Sequence, residues 1–336
     1  MEVYDVDAYP VGWYFVAFSD EIGPHAVTHV HYFGQELVLY RGDSGAVHIV
    51  EAFCPHQGAH LGWGGRVKGD DIVCPFHGWQ FGPDGSNVAI PYAPRDCEAL
   101  LPVWPARELD GMIFAWYHPD RAAPTWEPQP VPEFSQPDYP PAWRSEPIEL
   151  TVNLQDTFEN GVDAAHFVSV HRAFEMPKVE IVLNEGPHFI ADLPDQKLRS
   201  DRGAFDASVS SDYWGLGIDI ARMRSGFLSI VYLMLQTPVD TERIQVRFHI
   251  TVKRRSSENP GAETPEWVAR IGAGIVAEFL NDKVIWDHKI YRNRPRLADN
   301  EGPVREFRLW ARQFYASQSP ATLSPATLSP VTPAGA

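Results

Sequence analysis

The segment Cys54-Pro55-His56, followed after seventeen intervening residues by Cys74-Pro75-Phe76-His77, is the part of the sequence from which the fold is inferred. Each segment brings one thiolate, which is a soft ligand, and one imidazole, so together they offer four donors for a metal centre. Pro55 and Pro75 stiffen the two segments, and nearby glycines permit tight turns. Two such pairs can close around one two-iron cluster, in which cysteines hold one iron and histidines hold the other.

Two alternative uses of these four residues fit less well. A Cys2His2 zinc site has the same residue types, but its pairs usually run Cys-x2-4-Cys and His-x3-5-His, whereas here Cys and His alternate. A disulfide between Cys54 and Cys74 leaves His56 and His77 without a role, and the sequence shows no secretory signal. Cys97 has no partner close in sequence and is expected to be a small buried hydrophobic residue rather than a reactive thiol.

A second group of metal-binding residue types lies downstream and reads Asp-x2-His-x4-His, at Asp163, His166 and His171. Asp163 and His166 share one face of a helix, which Asp156 and Glu159 extend toward the N-terminus. His166 and His171 point in different directions on a regular helix, so a shared metal requires the helix to end or bulge between them. Taken alone, the motif is equally compatible with a helix that carries two surface histidines and several acids.

Two histidines and one carboxylate form the facial triad that holds ferrous iron while leaving coordination positions open. Asp282 is the best candidate for the carboxylate, because it lies inside an apolar stripe of helical spacing from Trp267 to Trp286. Thr264 as the N-cap and Pro265 as the first helical residue mark the start of this helix. A carboxylate on a buried helix face requires a cation, which is either a metal or a salt-bridge partner. Asp287, one position off the stripe, is the weaker alternative.

In this order, the Cys/His pairs, the Asp-x2-His-x4-His motif and the late aspartate resemble the oxygenase component of Rieske non-haem iron oxygenases, over about residues 10 to 316. Within that family the sequence is similar to the 3-ketosteroid 9α-hydroxylase branch. The segments that carry this similarity are Val67–Asp71, Pro75–His77, Ile90–Ala93, Phe279–Asp282, Ile285–Trp286, His288–Lys289, Glu301–Pro303, Trp310 and Phe314–Tyr315. Two centres are implied, a [2Fe-2S] cluster and Fe(II). Their ligands are Cys54, His56, Cys74 and His77 for the cluster, and His166, His171 and Asp282 for the iron.

The resemblance also implies how the two centres cooperate. In this family the cluster lies near the catalytic iron of a neighbouring subunit in a head-to-tail homotrimer. The carboxylate that matches Asp163 connects a cluster histidine, here His77, with an iron histidine, here His166, which gives Asp163 a catalytic role. The chain has no Gly-x-Gly-x-x-Gly after a strand, so electrons are expected from NAD(P)H through a separate flavin and iron-sulfur reductase or ferredoxin.

The activity implied is O2-dependent monohydroxylation of a large hydrophobic substrate, steroid-like or polycyclic. A predicted hairpin carries apolar residues that suit such a substrate and equally suit an ordinary core, namely Phe227, Leu228, Ile230, Tyr232, Met234 and Phe248. Alternatives within the family are an aromatic-ring dioxygenase, a demethylase or a desaturase, because the position of the C–H bond at the iron decides the outcome. Outside catalysis, the alternatives are a Rieske electron carrier and an oxygenase-fold binding module without iron. The chain length and the second motif argue against the carrier.

The composition is that of a globular protein long enough for two domains. Of 336 residues, 44% are hydrophobic and 21% are charged, and the longest apolar stretch, Phe227 to Leu235, is too short to cross a bilayer. The net charge of −16, from 28 basic and 44 acidic residues, disfavours nucleic acid and anionic membranes and is compatible with a basic redox partner. A cytoplasmic enzyme is therefore expected.

The predicted fold class is α+β, with an N-terminal all-β Rieske domain and a C-terminal catalytic domain of antiparallel β-sheet with helices. The predicted ranges are 1–118 for the Rieske domain, 119–141 for an extended, unpacked connector with eight prolines, 142–318 for the catalytic domain and 319–336 for a disordered tail. Strands are predicted in the first domain at Val27–Tyr32, Glu36–Tyr40, Val47–Phe53, Ile72–Val73 and Met112–Trp116.

In the second domain, a strand from Ile148 to Leu154 is predicted to lead toward the Asp-x2-His-x4-His motif. Phe227–Gln236 and Arg243–Val252 are predicted to pair as a hairpin. The stretch from Phe174 to Gly226 has weak periodicity, and it is predicted to form strands and loops that cover the active site.

Overall fold

The computed structural model describes residues 9–93, 98–200, 203–226, 228–254 and 263–315. Three sequence predictions fall outside these ranges, namely those for Cys97, for Phe227 and for the C-terminal tail.

The N-terminal part of the chain is built from short antiparallel strands, as predicted. These strands are β1 Gly12–Phe18, β2 Val27–Tyr32, β3 Gln35–Arg41, β4 Val47–Glu51, β5 Arg66–Lys68, β6 Asp71–Val73, β7 Gln80–Phe81, β8 Asn87–Ala89, β9 Val103–Trp104, β10 Ala106–Leu109 and β11 Met112–Tyr117. All five predicted strands are present. Their ends differ from the prediction by at most two residues.

Two four-stranded sheets hold the Cys/His segments. One sheet has the order β2-β3-β4-β9, and the other has the order β5-β6-β7-β8. Cys54 lies shortly after the end of β4, and Cys74 directly follows β6. Both cysteines belong to one hydrophobic cluster with the buried strand residues Val50, Ile72 and Phe81. The two segments are therefore loops at strand ends, fixed by a common core.

Strand β1 was not predicted from the sequence. All seven of its residues are buried, so the strand lacks the alternation of apolar and polar residues that marks a half-buried strand. It pairs with β11, which pairs with β10 in a three-stranded sheet. Phe15, Phe18 and Phe114 of this sheet share a hydrophobic cluster with Ile218 and Leu233, which lie far along the chain. The N-terminal and C-terminal halves are thus joined by a common core.

The C-terminal half contains an antiparallel sheet of eight strands. These strands are β12 Trp143–Arg144, β13 Ile148–Thr151, β14 Glu180–Glu185, β15 His188–Ser200, β16 Gly203–Trp214, β17 Ile218–Ser225, β18 Leu228–Pro238 and β19 Arg243–Val252. The order is β12-β19-β18-β17-β16-β15-β14, and β13 also pairs with β19. Strands β18 and β19 form the predicted hairpin. The weakly periodic stretch from Phe174 to Gly226 supplies β14 to β17. These are strands of the sheet itself, whereas strands and loops that cover the active site were predicted.

Four helices in the described ranges accompany this sheet. They are α1 Leu154–Glu159, α2 Ala164–Ser169, α3 Glu266–Trp286 and α4 Val304–Ala311, with 3-10 turns at Ser19–Glu21, Pro132–Ser135, Asn160–Val162 and Arg312–Phe314. Phe248 on one face of the sheet packs against Phe279 of α3, with ring centroids 5.0 Å apart. The opposite face packs on the three-stranded sheet. No helix in the described ranges is long and apolar enough to cross a membrane.

Two predicted element boundaries were wrong. The strand that begins at Ile148 ends at Thr151, and Leu154 already belongs to α1. The side chain of Asn153 accepts a hydrogen bond from the backbone N–H of Gln155 at 3.0 Å, and this N-cap starts the helix.

The start of α3 also differs from the prediction. Pro265 is the N-cap and the helix begins at Glu266, one residue later than expected. The hydroxyl of Thr264 donates instead to the carbonyl of Ala142 at 3.1 Å. The side chain of Thr264, which the sequence suggested as the N-cap, therefore makes a tertiary hydrogen bond and does not cap the helix.

The proline-rich segment 119–141 has no strand and a single 3-10 turn. It is packed nonetheless, which differs from the expectation of an unpacked connector. Val131 is buried, and its N–H donates to Asp110 Oδ2 at 2.7 Å. The indole N–H of Trp13 donates to the carbonyl of Trp126 at 2.7 Å. The segment therefore runs along the three-stranded sheet and closes the core between the two halves.

Two glycines of α3 allow a matched test of how closely this helix packs on the sheet. A Cβ at Gly272 would lie 2.4 Å from Trp143 Cε3, whereas a Cβ at Gly274 would meet nothing within 4 Å. We expect Gly274→Ala to raise the free energy of unfolding by about 1 kcal/mol through helix propensity. We expect Gly272→Ala to lower it by about 1 kcal/mol or more, because Trp143 must move. Urea unfolding of both variants measures this, and equal stabilisation would contradict close packing.

Candidate metal centres

The two Cys/His loops share one backbone design. In the first loop, the N–H of Cys54 donates to the carbonyl of Ala59 at 2.9 Å, and the N–H of Gly58 donates to the carbonyl of Cys54 at 2.9 Å. The second loop repeats both bonds around Cys74, at 2.8 and 3.1 Å. Gly58 and Gly78 have φ of 74° and 73°, a conformation that favours glycine. The chain thus presents two related turns, each with one Cys and one His.

The four side chains of these loops converge. The thiols of Cys54 and Cys74 are buried and within hydrogen-bonding contact of each other. The rings of His56 and His77 have centroids 4.8 Å apart. Trp79 stacks on the His56 ring with centroids 4.3 Å apart and planes 9° apart, so it covers one side of the group. The sulfur pair and the imidazole pair therefore form one four-donor site.

The chemistry of these donors fits a metal cluster. Burial, followed by the contact with Cys74, raises the pKa of the Cys54 thiol to about 11, although the backbone N–H groups of His56 and Gln57 act in the opposite direction. Nδ1 of His77 is buried without a hydrogen-bond partner among the described residues. A bound cation stabilises a thiolate and uses an imidazole lone pair, so the residues suit a cluster with Cys2His2 ligation.

A second site lies where α2 ends. His166 is within α2, which stops at Ser169, and His171 follows on irregular backbone. The helix thus ends between the two histidines, as a shared metal requires. Asp282 of α3 completes the group, and one ligand atom from each of the three residues lies within 4.8 Å of the others. Asp282 Oδ2 is 3.1 Å from His171 Nε2.

The second site is partly screened from water. Asp282 is only 4% exposed. Burial lowers the pKa of His166, which favours the neutral imidazole that a metal requires. Burial also acts to lower the pKa of His171, but the hydrogen bond and charge of Asp282 outweigh it and raise that pKa. A bound cation can take the place of the proton that Asp282 favours on His171.

Neighbouring groups orient the two histidines. Nδ1 of His166 lies 2.6 Å from the carbonyl of Asp163, so this nitrogen is the donor and Nε2 carries the lone pair. The side-chain nitrogen of Asn160 lies 3.1 Å from that Nε2. Glu278 Oε2 lies 3.6 Å from His171 Nδ1. Each histidine therefore directs Nε2 toward the site while Nδ1 faces an acceptor, as in histidine-metal sites.

Asp163 contacts both its helix and the histidine. Its carboxylate accepts a hydrogen bond from the N–H of Ala165 at 2.9 Å and so caps α2. Its backbone carbonyl, not its side chain, receives Nδ1 of His166. The residue is half-buried, so its carboxylate is partly open to solvent.

The other acids that the sequence placed near this motif have different partners. Asp156 binds Lys289 at 2.8 Å, and Glu159 binds Arg308 at 2.7 Å. The 3-10 turn between α1 and α2 separates them from the Asp163 helix face. Asp287, the weaker alternative to Asp282, binds Lys283 at 2.6 Å.

Sequence reasoning missed Asn160 and Glu278. Glu278 lies one helical turn before Asp282, so its spacing was a usable signal. Asn160 had no comparable signal in the sequence, because a 3-10 turn brings it to His166.

Two protein families match this chain, each over a different part of it. Residues 12–105 match the family described as Rieske [2Fe-2S] domain, and residues 115–315 match the one described as 3-Ketosteroid 9alpha-hydroxylase C-terminal domain. Cholesterol 7-desaturase nvd of Drosophila melanogaster is 30% identical over 93% of this chain and 76% of its own length. A 3-ketosteroid-9-alpha-monooxygenase oxygenase component of Rhodococcus rhodochrous is 28% identical over 90% of this chain and 83% of its own.

Solved structures share the fold. Dicamba monooxygenase bound to dicamba matches with a TM-score of 0.72 at 19% identity, over 94% of this chain and 98% of its own. NdmA of Pseudomonas putida CBB5 with caffeine matches with a TM-score of 0.69 at 19% identity, over 90% of this chain and 89% of its own. With both matched families present in one chain, the protein belongs to the Rieske oxygenases with a 3-ketosteroid 9α-hydroxylase type of C-terminal domain, and it is the oxygenase component of such an enzyme.

Proposed function

We propose that the chain hydroxylates a large hydrophobic substrate with O2, using two metal groups. A [2Fe-2S] cluster is held by Cys54, His56, Cys74 and His77, and Fe(II) is held by His166, His171 and Asp282. The observation that carries this proposal is the meeting of two imidazoles and one buried carboxylate within 4.8 Å. When bound, the cluster supplies electrons one at a time and the ferrous ion supplies the place where O2 is activated.

The residues of the second site supply orientation. The carbonyl of Asp163 keeps the proton of His166 on Nδ1, so Nε2 is available to the iron. Three protein donors leave coordination positions open for O2 and for a nearby substrate. The burial of Asp282 on its face of α3 keeps water away from one side of the site. His166, His171 and Asp282 would thus hold the iron and leave room beside it for O2 and substrate.

Electrons come from NAD(P)H through a separate flavin and iron-sulfur reductase or ferredoxin. Family membership supports a separate donor, because the matched families cover a Rieske domain and a catalytic domain. The sequence has no dinucleotide-binding fingerprint of its own.

The active unit is a homotrimer, in which the cluster of one subunit serves the iron of the next. Exposed aromatic side chains around the cluster loops support this assembly, since contiguous apolar surface marks interaction sites. They are Phe53, Trp63, Phe76 and Tyr92. A second exposed apolar set flanks the iron ligands in the sequence, and it consists of Val168, Phe174, Met176, Leu280 and Val284. Asp163, at the start of α2, then connects His77 of the neighbour with His166.

The substrate is a steroid or a similar polycycle, and the reaction is a monohydroxylation. The names of the relatives support this, since they act on 3-ketosteroids and on cholesterol. The helix-facing side of the large sheet is rich in apolar residues, including Ile230, Tyr232 and Met234. An apolar wall of this kind suits a rigid hydrocarbon skeleton.

Asp282 and Asp287 offer a matched test of the iron site. We expect Asp282→Asn to lose one iron per chain and to keep the two irons and the visible spectrum of the cluster, because the buried carboxylate is a ligand only of the mononuclear iron. Asp287→Asn should keep all iron, since Asp287 binds Lys283. Metal analysis and absorption spectra measure both. Zinc without iron in the parent protein, or iron retained in Asp282→Asn, would contradict the assignment.

Asp163→Asn tests the connecting role. Asparagine also caps helices well, and the backbone carbonyl that orients His166 stays in place. We therefore expect both metal groups to remain bound and product formation to fall about 10- to 100-fold. Iron content, cluster spectrum and single-turnover product yield are the measurements. Normal turnover in this variant would remove the connecting role, and an active monomer in sedimentation would rule out the shared site.

The substrate class is tested by coupled consumption of O2 and NAD(P)H with a generic reductase. We expect steroids, but not aromatic acids, to give product in proportion to O2 consumed. A product with one added oxygen atom supports monohydroxylation, whereas a product that has lost two hydrogen atoms indicates desaturation. Turnover of aromatic acids alone would overturn the steroid proposal.

A further inference from the structure

A group of arginines lies on an otherwise acidic protein. Residues 292–312 hold six arginines and three acids, whereas the whole chain has 28 basic and 44 acidic residues. Arg294, Arg296 and Arg305 are exposed and form no ion pair among the residues that the structure describes. These three residues, with Leu297 and Leu309, are called the arginine patch below.

The shape of the arginine patch suits contact with another molecule. Arg294, Leu297 and Arg305 line an open cavity of about 410 Å³ together with Pro295 and the buried Arg308. Leu297 is 45% exposed and Leu309 is 53% exposed. Arg308 is held by Glu159, so the floor of the cavity is fixed while the exposed arginines around it remain available. An apolar centre with charged residues around it is the common anatomy of transient protein contacts.

The arginine patch is tied to the start of α2. The N–H of Ala164 donates to the carbonyl of Glu301 at 2.8 Å. Gly302 lies so close that an added Cβ would be 2.0 Å from the carbonyl oxygen of Val162. Arg305 is three residues further along. The patch therefore adjoins Asp163, where the proposed trimer brings the cluster of a neighbouring subunit.

We propose that the arginine patch is the docking surface for an acidic iron-sulfur electron donor. This inference rests on the proposed function, because it requires the neighbour's cluster near Asp163. The net charge of the chain repels an acidic donor from most of its surface, and the patch attracts it locally, so the encounter is steered to one place. Each encounter moves one electron from the reduced [2Fe-2S] centre of the donor to the oxidised cluster of the oxygenase. No bond is made or broken.

The test uses the holoenzyme and an acidic plant-type [2Fe-2S] ferredoxin as the probe. We expect the double variant Arg294→Glu/Arg305→Glu to slow reduction of the cluster by the ferredoxin about tenfold at low ionic strength. The difference should shrink as salt is added, since exposed charges are screened. The matched control is Lys253→Glu/Arg270→Glu, which makes the same charge change at two exposed residues, one directly after β19 and one on α3. The control should reduce the rate much less.

Two further measurements separate this inference from the function on which it rests. Single-turnover hydroxylation by protein reduced chemically beforehand needs no donor, so the patch variant should match the parent there. Loss of that single turnover in the parent defeats the proposed function instead. An equal rate loss in the control variant would overturn the docking surface. The docking surface would also be overturned if sedimentation showed that the patch variant no longer forms the oligomer of the parent, because the patch would then be a contact between subunits.

Discussion

A negative charge kept away from water is the constraint on which the C-terminal half depends. Asp282 lies on the buried face of α3 between Phe279 and Trp286, whose rings contact each other at 5.1 Å. A buried carboxylate is costly unless a cation or hydrogen-bond donors compensate it. His171 stands 3.1 Å away, and His166 completes the set of donors. The packing of α3 on the sheet and the early end of α2 are therefore two parts of one arrangement.

Buried ion pairs fix the position of this arrangement. Glu159, at the end of α1, binds Arg308, and Asp156 binds Lys289. Burial raises the pKa of both acids, and the basic partners only partly offset it, so these contacts depend on close geometry. They tie the C-terminal segment to the helix that precedes His166 and His171. The position of His166 thus depends on contacts between residues more than a hundred positions apart in the sequence.

Much of the fold, and the meeting of the side chains in each proposed site, could be predicted from the sequence, because the signals are local. Strand β2 is rich in β-branched and aromatic residues and alternates between polar and apolar residues from His29 to Tyr32, and the turn after Pro238 marks the β18–β19 hairpin. Strand β1 could not be predicted, since a strand buried on both faces has no period. The role of Thr264 was missed because its hydroxyl binds Ala142 in another segment. The contact that orients His166 uses the backbone carbonyl of Asp163. Every residue has such a carbonyl, so the sequence could not indicate this contact.

The sheet formed by β1, β11 and β10 has a consequence for the evolution and engineering of such enzymes. Its strands lie at the two ends of the N-terminal half, yet they bury their aromatic residues against the C-terminal sheet. A modular exchange of the cluster-bearing half between relatives would therefore cut through a core and leave mismatched surfaces. The natural unit of recombination is smaller, and it comprises the loops and short sheets between β1 and β10. Grafts made at those borders preserve the seam that holds the molecule together.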